Sequence, residues 1–580
     1  MALFALSPLL VLTATALVVW AINDRVRSFI QGLITLGGLV IALGLVIAAQ
    51  ALVARGQGAL IGDGAFVWGA LNDQPLELRF AITQLPGFFS LILLLGGIVT
   101  AGGLAWTLGQ ATRAFGLVFA GLLLLLAGGL LTFTSVATLG ALGGLGLAWL
   151  GGTIMQQATT AHNREATFGG LALLLLALAL LSFGATPQLT GGQITAWLWL
   201  AGCAVLIGVT PRWGMTPTAP LLVRAPALAL GLPTLGCYLL LRYATAAAAS
   251  WSLQTTFLVL LLGALLLLIA TINALTARRF GSATSWQLVA QLALIVLVFG
   301  TGQEAAGPIA AGLLAHTIVT GVSIALAVGQ LERATRSDEF ATLPPLPRPL
   351  RRAGLAYGLA AISCAGMPPL LGYALRRVVL TLARATPTQP WLPPFVLACS
   401  TLLALSYLPT LVAFFRRPAF RSPLTVLEQR GGGWPLALMC GVLIGGLVPD
   451  QIWQLVLGDP TVTSVTLPTP ELLLRTAVVA VVTLALFGLV NRALRHPRPE
   501  APFMGGEPLD EEPGWTLPFA GLRAILRPLA LPEERLGRTL GQTIEQQRER
   551  LTGLRQALER RYYLAVVVIS LISVLLLATQ

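Results

Sequence analysis

The sequence predicts an all-α, polytopic membrane protein with about sixteen transmembrane helices. Three observations carry this. Of 580 residues, 56% are hydrophobic and only 10% are charged, where a soluble domain carries roughly 25% charged residues. Apolar runs long enough to cross a bilayer recur along the chain. Most of the basic residues lie between those runs rather than on one face of them. A run of this kind must satisfy every backbone N–H and C=O internally, which a helix does.

The runs lie at roughly 3–21, 29–53, 87–107, 114–132, 134–152, 167–185, 194–210, 218–243, 253–276, 284–300, 304–329, 352–378, 392–415, 434–449, 472–491 and 562–579. Arginine tests the count. With the N-terminus outside and strict alternation, the inside loops receive Arg25, Arg27, Arg113, Arg164, Arg212, Arg278 and Arg279. They also receive the clusters Arg333–Arg352 and Arg416–Arg430 and the tail Arg492–Arg561. The outside loops are poor in arginine; 186–193 is uncharged and 449–471 carries only acids. This is the positive-inside pattern of a plasma or inner membrane protein. The net charge of +13 therefore reads as topology and contact with anionic lipid, and no nucleic-acid motif accompanies it.

All 36 basic residues are arginine. A GC-rich coding sequence accounts for the bias, but the chemical consequence is independent of its origin. Lysine can lose its proton when buried and arginine effectively cannot, so no mechanism using a buried, titrating lysine is open to this chain. The five cysteines, Cys203, Cys237, Cys364, Cys399 and Cys440, lie in apolar runs without a CxxC and read as small packing residues. The stretch Met1–Trp20 has no basic start or small-residue cleavage site and reads as a first helix rather than a signal peptide. No metal or cofactor site is expected.

Two spans are interrupted by proline. One carries Pro211, Pro217 and Pro220, and the other carries Pro368 and Pro369 between Gly366 and Gly372. Broken helices persist at membrane depth only where protein or water satisfies the freed backbone, and a matched pair points to an ion path in a transporter. Ordinary kinks or loop ends are the other reading. The segment 495–518 is rich in proline, glycine and acid and reads as irregular. Pro532, Glu533 and Glu534 then open a helix. Its stripe of Leu536, Leu540, Ile544, Leu551, Leu554 and Leu558 opposes Arg, Gln and Glu, as in a helix lying along a membrane face or a partner.

These features resemble the antiporter-like membrane subunits of respiratory complex I (NADH:quinone oxidoreductase), multisubunit sodium/proton antiporters and membrane-bound hydrogenases. The element Gly366-Met367-Pro368-Pro369-Leu370-Leu371-Gly372-Tyr373, followed by Arg376, is similar to the family's second broken helix and its basic residue. Gly236, Tyr238 and Arg242 are similar to a second motif, His316 and Thr320 to a third, and Leu78–Leu85 to a short strand before the third helix. The resemblance implies two inverted five-helix repeats with broken helices, here 114–250 and 251–415. They follow N-terminal helices at 1–113 and precede core helices at 416–492. A cytoplasmic segment with the amphipathic helix (493–561) and an anchoring helix (562–580) complete the chain. Partners are then other membrane subunits and lipid, and no nucleic acid.

In that family, protons pass along buried Glu, Lys and His side chains, a buried lysine being poised by desolvation and by a movable carboxylate. Position by position, the expected lysines fall near Leu206, on Thr234 and on Thr320, and the expected glutamate falls near Leu142; no acid occurs between Arg113 and Arg164. The remaining candidates for a proton path are His316, Glu304, Thr234, Thr320 and Arg376. His316 is the one histidine inside an apolar run, and imidazole titrates in the working range; a lone buried histidine also serves as a packing residue. Arg376 and Arg377 can also snorkel to the interface.

The expected function is a non-redox antiporter-like subunit of a complex I-like assembly, taking part in proton translocation or scaffolding it, with most of the Glu/Lys relay lost. The alternatives are a membrane subunit of an ion or inorganic-carbon uptake complex, or of a membrane-bound hydrogenase. An unrelated polytopic enzyme would need an acidic loop motif, and the outer loops hold only scattered acids, among them Asp63, Asp73, Asp450 and Asp459. A haem protein needs paired intramembrane histidines, which a single one cannot supply.

Overall fold

In the computed structural model, the described residues are 2–23, 25–53, 66–71, 74–78, 80–108, 115–136, 138–157, 176, 200–209, 221–247, 253–335, 337–340, 350–368, 370–386, 389–415, 433–447 and 525–530. They are helical apart from one hairpin. The helices are α1 (Ala2–Ala21), α2 (Ser28–Leu52), α3 (Gln84–Leu108), α4 (Gly116–Thr134), α5 (Thr138–Gln157), α6 (Leu221–Leu230) and α7 (Leu232–Ala247). They continue with α8 (Leu253–Thr276), α9 (Phe280–Phe299), α10 (Ala306–Thr335), α11 (Arg351–Ala365), α12 (Leu371–Arg384), α13 (Leu392–Phe415) and α14 (Gly433–Leu447). Strands β1 (Phe66–Leu71) and β2 (Gln74–Leu78) pair antiparallel, with an irregularity between Val67 and Gly69.

Seven of the described helices are long and apolar enough to cross a membrane unaided. Several others are shorter because a span is divided. The apolar run expected at 352–378 becomes α11 and α12, and its break has an identifiable cause. Gly366 ends α11 at φ 76°, a left-handed conformation that costs glycine nothing. Met367 N–H then reaches Ile362 O at 3.1 Å and Gly366 N–H reaches Ser363 O at 2.9 Å, the paired bonds of a Schellman ending. Pro368 follows and cannot continue the helix.

The run expected at 218–243 is also divided, at Gly231, into α6 and α7. Thr234 Oγ1 donates to Ala229 O at 2.8 Å and so satisfies a carbonyl freed at the end of α6. The proline break read at Pro211, Pro217 and Pro220 lies outside the described residues; just before it, Val205–Val209 is a π-helical turn. The runs at 167–185, 472–491 and 562–579 and the amphipathic stretch 532–558 lie almost wholly outside the described residues.

Helix α10 is the hub. It packs on α3, α6, α7, α9, α11, α12 and α14. Every residue of α9 is buried, enclosed by α8, α10, α13 and the α6–α7 pair. At the arginine-rich end of these helices, Phe280 N–H donates to Asp338 O at 2.8 Å and Phe340 N–H to Arg278 O at 3.0 Å. Arg279 also pairs with Asp338 at 3.7 Å and Glu339 at 3.5 Å. On the other side, α4 and α5 form a hairpin in close backbone contact. A Cβ on Gly144 would lie 2.5 Å from Thr132 N and 2.7 Å from Gly128 O, and Gly121 and Gly151 face each other in the same way one heptad along. Small residues of this kind let membrane helices approach closely.

Candidate functional site

A cluster of buried polar groups lies between α9, α10, the α11–α12 break and α13. Its members come from helical spacing. On α9, Thr284, Gln287 and Gln291 share a face; on α10, His316 and Thr320 are one turn apart. Ser363 and Cys364 sit where α11 ends, and Gly372 and Arg376 lie one turn apart at the start of α12.

His316 is 3% exposed. Its Nε2 lies 2.8 Å from Ser363 Oγ, and the same oxygen accepts Gly372 N–H at 3.3 Å. The imidazole is thus tied through one hydroxyl to the first turn of α12. Arg376 is 8% exposed. Its Nη2 donates to Cys364 O at 2.9 Å and to Gln291 Oε1 at 3.4 Å, and its Nη1 donates to Ser400 Oγ. Gln291 Nε2 in turn donates to Cys364 O at 3.4 Å and to the Tyr407 hydroxyl at 3.5 Å. Gln287 Nε2 donates to Ser406 O at 3.1 Å, and Tyr357 OH to Tyr407 O at 3.3 Å.

Beside these groups is a cavity of about 20 Å³ lined by Thr284, Gln287, Gln291, Thr317, Thr320 and Tyr407 among others. That is room for about one water. The buried Gln287 Oε1 has no hydrogen-bond partner among the described residues, and a water donating to it would close the account. Thr317 and Thr320 donate their own protons back to Leu313 O at 2.7 Å and His316 O at 2.8 Å, so both offer lone pairs to such a water.

The other sequence candidates are placed differently. Glu304 is exposed in the α9–α10 turn, about 15 Å along α10 from His316. Thr234 is buried and serves the α6–α7 break. Leu206 is buried and lies where a Cβ on Gly236 would touch its side chain, at 2.8 Å. Leu142 is half-buried on α5, whose inner face is the glycine contact. Arg242 binds the carbonyls of Ser135 and Val136 at the α4–α5 turn. Pro368 is buried within the α11–α12 break, while Pro369 lies outside the described residues. The sequence did not single out Gln287, Gln291, Ser363, Ser400 or Tyr407. The amide pair four residues apart in an otherwise apolar run was the available signal for the first two.

The chemistry available follows from this inventory. Among the described residues, His316 and Arg376 are buried and no carboxylate is. No group of three or more His, Cys, Asp or Glu among them could hold a metal. Hydroxyls, amides and a water can pass a proton along; they cannot store a charge whose affinity is switched. Removing the Ser363 hydroxyl strands both His316 Nε2 and Gly372 N–H, and a buried polar group left unsatisfied costs about 1–3 kcal/mol. Ser363→Ala is therefore expected to lower the thermal unfolding midpoint of the purified protein. A midpoint equal to that of the unmodified chain would mean that neither contact carries stability.

Residues 215–403 match a family profile described as NADH:quinone oxidoreductase/Mrp antiporter, transmembrane. That segment contains α6 to α12 and the first half of α13, and so the whole polar cluster apart from Ser406 and Tyr407. Over that segment the chain is similar to antiporter-like membrane proteins. Among solved structures, it is similar to a chain of the membrane-bound sulfane sulfur reductase, an archaeal respiratory membrane complex. The TM-score there is 0.64 at 16% identity, over 79% of this chain and 96% of that one. It is likewise similar to a chain of the Mrp complex from Dietzia sp. DQ12-45-1b, with TM-score 0.63 and 15% identity, over 79% and 96% of the two chains. No curated protein sequence matches the chain. The fold is shared at this low identity, while among the described residues the buried basic side chains are His316 and Arg376.

Proposed function

We propose that this antiporter-like protein is a non-redox subunit of a multi-subunit membrane assembly, complex I-like in its architecture, in which it scaffolds ion translocation rather than driving it. One observation carries the reading: among the described residues the polar core holds a histidine and an arginine but no carboxylate, and the sequence has no lysine. In this fold, a relay needs a site that gains and releases a proton as a nearby charge moves. Arginine holds its proton too tightly for that role, and the described core offers no movable acid. The glycine-packed α4–α5 hairpin supports the same view: the resemblance sets the family's glutamate near Leu142 on α5, where this chain has no acid. So does the range of assemblies with similar chains, a sulfur reductase and an Mrp complex; what they have in common is the antiporter-like subunit rather than any one redox partner. In this reading the arginine-rich loops face the cytoplasm and the N-terminus faces outward.

Any path that survives has His316 as its titrating member, with Ser363 and Thr320 beside it. The test is His316→Gln in the assembled complex, since glutamine can still hydrogen-bond Ser363. Protons moved per electron, or per ion exchanged, are expected to stay unchanged with assembly intact. A stoichiometry lower by one proton would show that the subunit itself pumps and would overturn the scaffold reading.

A further inference from the structure

We infer that the α11–α12 break is a built cation site and that Arg376 fills it as a tethered guanidinium. Helix α11 stops at Ala365 inside the bundle, leaving the negative end of its dipole and its last carbonyls at membrane depth. In membrane transporters generally, such half-helix C-terminal ends coordinate cations. Here three oxygens converge from three helices: Cys364 O from α11, Gln291 Oε1 from α9 and Ser400 Oγ from α13. All three are neutral acceptors. The cation they hold arrives on a fourth helix, as the side chain of Arg376.

The backbone is shaped around that side chain. A Cβ on Gly366 would lie 2.7 Å from Arg376 Cγ, so the residue that ends α11 also clears the path of the arginine stem. A guanidinium placed away from water without a counter-charge is costly. It is retained because planar N–H donors meet fixed oxygens in several directions, a geometry lysine's single ammonium does not reproduce. The consequence is a site that is permanently occupied. Neither a proton nor a free metal cation can turn over there.

This goes beyond the scaffold reading, and its test reads binding and stability rather than transport. The full-length chain and Arg376→Ala are purified and their thermal unfolding is followed with added guanidinium ion, at concentrations well below those that denature. Urea serves as the uncharged control of similar shape. Arg376→Ala is expected to melt several degrees lower than the unmodified chain. Guanidinium, saturably, should restore part of the loss; urea should not, and the unmodified chain should show no such gain. Absence of rescue, or an equal gain in the unmodified chain, overturns the proposal. Should Arg376→Ala fail to accumulate, Arg376→Lys and Arg376→Met decide. The lysine variant is expected to melt closer to the unmodified chain than the methionine variant, and the reverse order shows that the site wants an apolar filler rather than a cation.

Discussion

Gly144→Val is expected to remove most of the folded protein from the membrane. The argument rests on what surrounds the position. A Cβ there would be 2.5 Å from both the backbone nitrogen and Oγ1 of Thr132, and 2.7 Å from the carbonyl oxygen of Gly128. Two of those atoms belong to the backbone of α4, so no rotamer change can relieve the contact. The hairpin must open, and opening it draws Thr132 Oγ1 away from Ala141 O, now at 3.4 Å. It also disturbs the facing Gly121 and Gly151, because the two helices are rigid over one heptad. In lipid there is no hydrophobic drive to hold the pair together in a looser arrangement; close packing is itself the attraction. Overpacking a tight contact costs about 1–3 kcal/mol and occasionally more, and valine adds two further methyl groups to the obstructing Cβ. The measurement is the yield of monodisperse protein after extraction, with thermal unfolding of whatever survives. Gly143→Ala is the control, since a Cβ there meets nothing within 4 Å; it should be neutral. Equal yield and melting for Gly144→Val would mean that the hairpin tolerates separation and that its glycines do not seal it.

That hairpin also illustrates what a sequence displays and what it withholds. The apolar runs at 114–132 and 134–152 were legible because hydropathy over a span is a sum, insensitive to which face each residue occupies. The run at 253–276 coincides with α8 for the same reason. The glycine contact was not legible, because it depends on the rotation of α4 against α5, which composition does not encode. The division at Gly231 escaped for a related cause: a glycine and a proline in an apolar run read as a kink, and only the pairing of Thr234 with Ala229 O makes it a break. The short strand that the resemblance set at Leu78–Leu85 falls instead just before it, as β2 ending at Leu78, with α3 beginning at Gln84; its partner β1 was hidden by the helical signal around it.

The polar cluster divides in the same way. His316 and Arg376 stood out because ionisable side chains inside an apolar run are costly and therefore informative. Ser363, Ser400 and Tyr407 did not, because uncharged polar residues are common in spans and their partners lie on other helices, tens of residues away. Gln291 is reached from Arg376 across 85 residues of chain and Ser363 from His316 across 47. Such pairs become visible only once α9, α10 and α13 are arranged around the α11–α12 break. The sequence thus named the charges and left the neutral groups that hold them unidentified.

Gly372→Ala should uncouple that arrangement with the addition of one methyl group. A Cβ on Gly372 would overlap the carbonyl oxygen of Ser363, and would sit 2.7 Å from its carbonyl carbon and 2.9 Å from its Oγ. The obstructing atoms are the end of α11, which the Schellman bonds hold in place, so α12 has to move. Its displacement carries two losses. Gly372 N–H leaves Ser363 Oγ, the oxygen that also meets His316, and Arg376 is drawn off Cys364 O. Overpacking and the stranding of buried polar groups each cost about 1–3 kcal/mol, and here they act on one contact network and arrive together. Thermal unfolding should therefore fall further than in Ser363→Ala. A second readout separates local opening from general instability. Cys364 is 1% exposed at the end of α11, whereas Cys440 is exposed. With Cys440→Ala as background, a membrane-permeant maleimide should label Cys364 faster in Gly372→Ala than in its parent, at a temperature where both remain folded. Unchanged labelling together with unchanged melting would show that α12 accommodates the methyl group without leaving α11, and that the break is not the rigid joint its hydrogen bonds describe.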